Sequence, residues 1–194
     1  MSFMDAITAL HQRVSQSKLQ APAPDAQQLA TLIRAATRAA DHGNLQPWRF
    51  LTIEGDGLEK LGQLFANVAA AKKTDISQAE LDRFKSMPLR APMIIVAIAK
   101  CQAHPKVPQI EQLIAAGAAA QNIINASFAL GLGAIWRTGD MAYDDTVKQA
   151  LGLISNETLD EQIIGFIYIG TPANSASLPR EINPQDFFTA WTNE

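Results

Sequence analysis

Cysteine is nearly absent from this chain. Cys101 stands alone among 194 residues, so no intrachain disulfide can form. A lone thiol fits a reducing compartment, and a cytoplasmic protein is the expectation. Long apolar runs are missing too: stretches such as Ile114–Leu130 carry Gln, Asn and Ser, and none resembles a membrane span. The opening residues, MSFMDAITALHQ, lack the basic region and apolar core of a secretory signal. Excess charge of either sign is also lacking. With 16 Lys and Arg against 19 Asp and Glu, the net charge of −3 gives no broad basic footprint for nucleic acid. Neither a membrane nor a nucleic acid is an expected partner.

Several chemistries are excluded in the same way. There is no GxGxxG: Gly55-Asp56-Gly57 has Lys60 where the third glycine belongs, and Gly131-Leu132-Gly133 has Trp136 there. There is no phosphate-binding P-loop and no GxSxG elbow of a serine hydrolase. The histidines, His11, His42 and His104, are scattered. Cys101 and His104 have a ligand-like spacing, but two ligands do not make a structural zinc site, and no metal is expected.

What is present is a core. The hydrophobic fraction of 47% suffices for one domain spanning residues 1–194, with no repeat and no interdomain linker. Met4–Gln12 reads as a helix. Asp25 with Gln28, and later Ser77 with Glu80, are capping signatures that open two more. The first of these carries Leu29, Leu32, Ile33 and Ala36 on one face and runs to near Ala39. Trp48–Ile53 reads as a strand, Gly55–Gly57 as a turn and Leu58–Ala71 as a helix. Pro92–Lys100 is a continuous apolar run, the mark of a strand buried on both faces. The longest helix is expected over Pro108–Leu130, closed by Gly131, with the small residues Ala115–Ala120 placing it at the centre of the fold. A strand Ala134–Arg137, a helix Asp144–Leu151 and a strand Ile163–Ile169 follow. The tail after Thr171 has a weak helical patch near Phe187, and Phe187, Phe188 and Trp191 argue for its being covered. The irregular alternation of strands and helices predicts an α+β fold, a helical layer around one central sheet.

Arginines and polar residues collect at element ends. Arg13 and Ser15 follow the first helix, Arg38 and His42 follow the second, and Trp136-Arg137-Thr138 ends a strand beside Gly139. Guanidinium groups and hydroxyls so placed suit a phosphate. They equally suit the plain role of positive charge at helix C-termini, and spacing alone leaves both readings open. Gln46-Pro47-Trp48-Arg49-Phe50 is likewise open between a proline stop before an edge strand and a loop at a cofactor.

The block from Arg38 through Asp41-His42 to Gln46-Pro47-Trp48-Arg49-Phe50 resembles the R-x-A-P-D-H…Q-P-W-R-F block of the nitroreductase family, in a compact branch of it. Three further blocks agree: Arg90–Ile95, Gly133–Gly139 and Ile164–Pro172. The resemblance runs over nearly the whole chain. It implies a nitroreductase-like α+β fold with a central, mostly antiparallel sheet surrounded by helices, in an interlocked homodimer with both active sites at the subunit interface. It implies FMN as cofactor and NAD(P)H as electron donor, with hydride passing through flavin N5 to a nitroaromatic, quinone or similar acceptor and no catalytic side chain required. Arg13 and Ser15 match the family's R-R-S turn at the flavin, with Val14 replacing the second arginine. Arg38 and His42 match flavin contacts supplied by the partner subunit. Trp136, Arg137 and Thr138 match a third flavin segment, with Arg137 as phosphate partner. Ala126, Ser127, Phe128, Ala129, Leu130 and Gly131 match a stretch linked to the nicotinamide cofactor. Two other functions fit the same resemblance: a flavin-binding redox-sensing module with little turnover, and a flavin dehydrogenase on the same scaffold.

Overall fold

A computed structural model of the chain describes residues 4–175 and 177–192. Two strands organise it. β3 (Met93–Gln102) is the apolar run, and nearly all of it is buried. It pairs antiparallel with β5 (Leu159–Pro172) along most of its length, and with β2 (Trp48–Glu54) on its other edge. β4 (Gly133–Arg137) and the two-residue β1 (Leu19–Gln20) pair with the C-terminal half of β5. All these pairings are antiparallel, which gives a five-stranded sheet with helices on both faces, the α+β class expected.

The helices start and stop where local chemistry dictates. α1 (Ala6–Gln12) is capped by Asp5, whose carboxylate accepts from the Ile7 and Thr8 amides. α2 (Ala26–Ala36) opens with the Asp25–Gln28 capping box, and α4 (Gln78–Ser86) with the Ser77–Glu80 box. α2 ends three residues earlier than expected, and Arg38 and Ala39 continue it only as i−3 turns. Between them α3 (Asp56–Lys72) starts directly after Gly55, so the expected turn Gly55–Gly57 contributes its last two residues to the helix. α5 (Gln109–Ala129) is the long helix, ended by Gly131 at φ +76° as a C-terminal glycine should be. α6 (Asp140–Tyr143) is a single turn that sequence periodicity does not reveal, and α7 (Asp145–Ala150) is capped by Asp144.

α5 lies across one face of the sheet with α2 beside it, and α3 and α4 lie on the other. The small residues of α5 explain the close packing. Ala115, Ala116, Ala119 and Ala120 are buried against the protein's own sheet, and only Gly117 and Ala118 of that run are turned partly outward. The run therefore serves an internal contact first. The outward face of α5 carries Ile110 and Ile114, at 59% and 64% exposure. Phe187, Phe188 and Trp191 in the tail, which the sequence predicts to be covered, are exposed in the single chain.

Candidate functional site

The best-defined part of the site is the end of β4. β5 has a bulge where Ala97 pairs with Gly165 and Ile98 with Ile163, leaving Ile164 as the extra residue. Its carbonyl accepts the indole N–H of Trp136 at 3.2 Å. The ring lies directly over Gly165, where a Cβ would meet Trp136 Nε1 at 2.0 Å, so no other residue fits beneath it. Bulge, glycine and indole together fix Trp136 on the α5 side of the sheet. Arg137, the next residue along the strand, takes the opposite side: it lies with Phe65, Phe84, Phe166 and Tyr168, its guanidinium 5.9 Å from the Tyr168 ring centre. Arg137 Nε is buried with no hydrogen-bond partner among the described residues. Thr138 is exposed beyond the strand end.

The segment after α1 runs along the free edge of β4. Gln16 N–H donates to the Ala134 carbonyl at 3.0 Å. A Cβ on Gly133 would come within 2.7 Å of Gln16 Oε1 and 2.5 Å of Leu19 Cδ2, so a larger residue there would push those two side-chain ends aside. Arg13 and Val14 are half-buried and Ser15 is exposed. Arg13 also closes α1, its backbone N–H donating to the Ala9 carbonyl. The fold thus brings Arg13–Ser15 and Trp136–Thr138 to one edge of the sheet.

Arg38 and His42 are elsewhere. The Ala35 carbonyl accepts from Asn122 Nδ2, and His42 Nδ1 meets Glu111 Oε2 at 2.5 Å, so α2 and the following turn descend α5 toward its N-terminus. Gln16 and Gly133 are near the other end of α5, where Leu132 N–H bonds the Ser127 carbonyl. Glu111 and Ser127 are about 24 Å apart along the axis at 1.5 Å per residue. One chain therefore does not unite His42 with Arg13 and Trp136, and Arg38 lies on the chain between the Asn122 and Glu111 contacts. Glu111 was not legible as the neighbour of His42, because nothing in the sequence links positions 69 apart.

The last candidate stretch has mixed placement. Ser127 is fully buried, and its hydroxyl donates to the Ile123 carbonyl at 2.7 Å within the helix. Ala126 and Phe128 are half-buried, while Ala129, Leu130 and Gly131 are exposed at the helix end. Elsewhere, Arg49 of the Q-P-W-R-F block does not reach this region: it forms a two-pronged pair with buried Glu161, with both contacts at 2.7 Å. That pairing holds the Glu161 carboxyl below the usual glutamate range against the opposing effect of its burial. His104 Nδ1 accepts from the Lys106 and Val107 amides, so its ring is engaged in its own turn.

The donor set fits an anionic planar cofactor. Among the described residues no ion pair engages Arg13, Arg38 or Arg137, although five other pairs form. An antiparallel α+β sheet with guanidinium groups and hydroxyls free of ion pairs at element ends is the class of fold and site whose chemistry suits an anionic ligand. Comparison with known proteins identifies the class further. The model of the nitroreductase family matches residues 10–171. The chain is 38% identical to the Escherichia coli (strain K12) protein named "Putative NAD(P)H nitroreductase YdjA" over 187 residues, covering 96% of this chain and 99% of that one. In fold it is similar to a nitroreductase-like family protein of Bacillus cereus, with a TM-score of 0.78 and 22% identity over 98% of both chains. It is also similar to a Desulfovibrio desulfuricans protein solved in complex with FMN, with a TM-score of 0.70 and 23% identity, over 99% of this chain and 100% of that one. The chain belongs to the nitroreductase family, an oxidoreductase family that uses FMN. Among the described residues no helix is long and apolar enough to cross a membrane.

Proposed function

We propose that the chain is one flavin-binding domain acting as a cytoplasmic, FMN-dependent NAD(P)H oxidoreductase, reducing a nitroaromatic, quinone or similar electron-poor acceptor. The observation that carries the reading is the meeting of Arg13–Ser15 with Trp136–Thr138 at the edge of β4, held by the Gln16–Ala134 hydrogen bond. Arg13, Val14 and Ser15 line one side of the flavin, with Val14 contributing backbone where relatives carry a charge. Trp136, Arg137 and Thr138 line the other. Arg38 and His42 come from the partner subunit, which is why a single chain keeps them apart. Bound FMN supplies hydride transfer from the nicotinamide to the acceptor in a ping-pong cycle, and the protein binds, orients and tunes it. Positive charge from Arg13 and Arg38 favours the electron-rich form of the cofactor and raises its potential. The end of α5, Ala126–Gly131, borders the approach of NAD(P)H.

The partner subunit is placed on the outward face of α5 and on α1. Ile110 and Ile114 on α5 and Ile7 and Leu10 on α1 are all more than half exposed, and large apolar side chains left in solvent mark an interface. The same patch on both subunits makes a two-fold dimer. The exposed tail aromatics then cover the partner and not their own subunit.

The test is the visible spectrum of the purified protein, followed by anaerobic addition of NADPH and then of NADH. A yellow protein that bleaches promptly is expected, and the faster donor is the preferred one. A colourless protein that FMN does not reconstitute overturns the reading. A yellow protein that neither donor bleaches replaces it with a flavin-binding module. Arg38→Ala is expected to lower flavin affinity or potential while leaving the monomer folded, and unchanged values would remove Arg38 from the site.

A further inference from the structure

We infer that Glu111 is a positioning residue for His42, setting which nitrogen of the imidazole is free to meet the flavin; the inference rests on the oxidoreductase reading proposed above. His42 Nδ1 and Glu111 Oε2 are 2.5 Å apart. An ionised carboxylate only accepts, so Nδ1 carries a proton and donates it, and Nε2 is the ring nitrogen left for a second partner. Both side chains are open to solvent, at 59% and 43% exposure. A pair so exposed adds little to stability, so the contact serves to orient the ring.

The turn that carries His42 is built to hold it. Gly43, Asn44 and Gln46 all have positive φ, at +74°, +53° and +49°. Two of the three are not glycine, and a residue with a side chain takes that conformation at a cost. The Gln46 N–H donates to Asp41 Oδ2 at 2.5 Å, which closes the turn. Gly43 rests on Val107, where a Cβ would come within 3.2 Å of Cγ2. Val107 is itself fixed: it is buried, its N–H donates to His104 Nδ1, and its carbonyl accepts from Gln112 Nε2. Gln112, buried beside Glu111 on α5, also accepts from the N–H of Gln102 and donates to its carbonyl at the end of β3. Glu111 thus stands on a helix start tied to the sheet, opposite a turn held in a costly shape. Rigid support on both sides of one hydrogen bond is what placing a ring requires, and mere attraction of charges requires neither.

The first experiment is a long-range ¹H–¹⁵N correlation spectrum of the histidine rings in the full chain before FMN is added, at about pH 9, above the ordinary histidine range. The His42 signals are those that His42→Ala removes. His104 is the internal reference, because its Nδ1 accepts from two amides and its proton is therefore on Nε2. The wild-type His42 ring is expected to be protonated at Nδ1, and Glu111→Ala, with circular dichroism reporting its fold, to lose that preference. A bare Nδ1 in the wild type, or an unchanged ring in Glu111→Ala, overturns the inference. The second readout is FMN affinity by titration of the wild type, Glu111→Ala, His42→Ala and the double variant. Glu111→Ala is expected to weaken FMN by about tenfold, as for residues coupled in one hydrogen-bond network, and to add nothing once His42 is gone. The same loss in the His42→Ala background overturns the inference, because Glu111 then acts through the fold and not through the ring. Normal FMN uptake that Glu111→Ala does not alter ends the inference and leaves the oxidoreductase reading standing. A chain that takes up no FMN ends both.

Discussion

Beneath α5 the sheet is met by alanines; beneath α3 it is met by rings and branched chains. On the α5 side Ala115, Ala116, Ala119 and Ala120 of the helix face Ala97, Ala99 and Ala134 of the strands. On the α3 side Phe65 packs edge-on to Phe166 at 5.6 Å, among Leu58, Leu61, Ile94, Ile98 and Tyr168. Small residues let the long helix lie close along the sheet but bury little area apiece, so that face depends on fit. The opposite face depends on volume, and Arg137 lodges in a gap between its large side chains. The difference also divides the labour. The fitted face leaves the outer side of α5 exposed, where the second subunit is proposed to dock, while the bulky face closes within one chain.

The largest expected effect tests that contrast. Phe166→Ala removes a ring with 2% exposure from the bulky face and should cost about 3–5 kcal/mol, read by denaturant unfolding. Ala119→Leu on the fitted face adds volume instead and should cost about 1–3 kcal/mol through overpacking. If Ala119→Leu is tolerated without loss, the close approach of α5 is not the constraint argued for here.

The next effect concerns the pair that ties β2 to β5. Arg49→Ala leaves the Glu161 carboxylate buried, with only the Ile154 amide as donor, and should cost on the order of 3 kcal/mol at neutral pH. The sign with pH follows from Glu161 being held below its ordinary value of 4.5 in the folded state. Its stabilisation is complete above that value and is lost as pH falls through the depressed one. The gap between wild type and Arg49→Ala should therefore narrow in acid. Parallel stability curves from neutral pH down to about pH 3 would mean that Glu161 is not the group Arg49 serves.

The same pair shows where the sequence stops being readable. Periodicity and capping chemistry are local, and they located β3, both capping boxes and the glycine stop of α5 closely. The first half of β5, Leu159-Asp160-Glu161-Gln162, has no apolar signal. It is a strand because β3 lies beside it and because Arg49, 112 positions earlier, neutralises Glu161. The site divides likewise. Arg13, Arg38 and Trp136–Thr138 were visible as polar residues at element ends, and the family blocks gave them a common purpose. The bulge at Ile164 that seats Trp136 was hidden, although a glycine inside an apolar strand at Gly165 was a signal for close approach. The separation of His42 from the end of β4 by most of the length of α5 was also out of reach, because it follows from helix direction and not from composition.

The smallest expected effect bears on the stretch assigned to the nicotinamide cofactor. Ser127 resembles a cofactor-contacting residue by position, yet it is fully buried on the fitted face and spends its hydroxyl on the Ile123 carbonyl. That carbonyl belongs to the helix ladder, so Ser127→Ala leaves it still bonded and fills nearly the same space. Stability should change by about 1 kcal/mol or less. The KM for NAD(P)H should stay at its wild-type value, because no atom of Ser127 is at the surface. The neighbouring exposed position is the informative contrast: Leu130→Asp places charge at the helix end proposed to border the donor, and should raise KM with kcat little altered. A KM that rises with Ser127→Ala and not with Leu130→Asp would mean that α5 reaches the donor through its inner face, and the division between a structural inner side and a binding outer end would have to be redrawn.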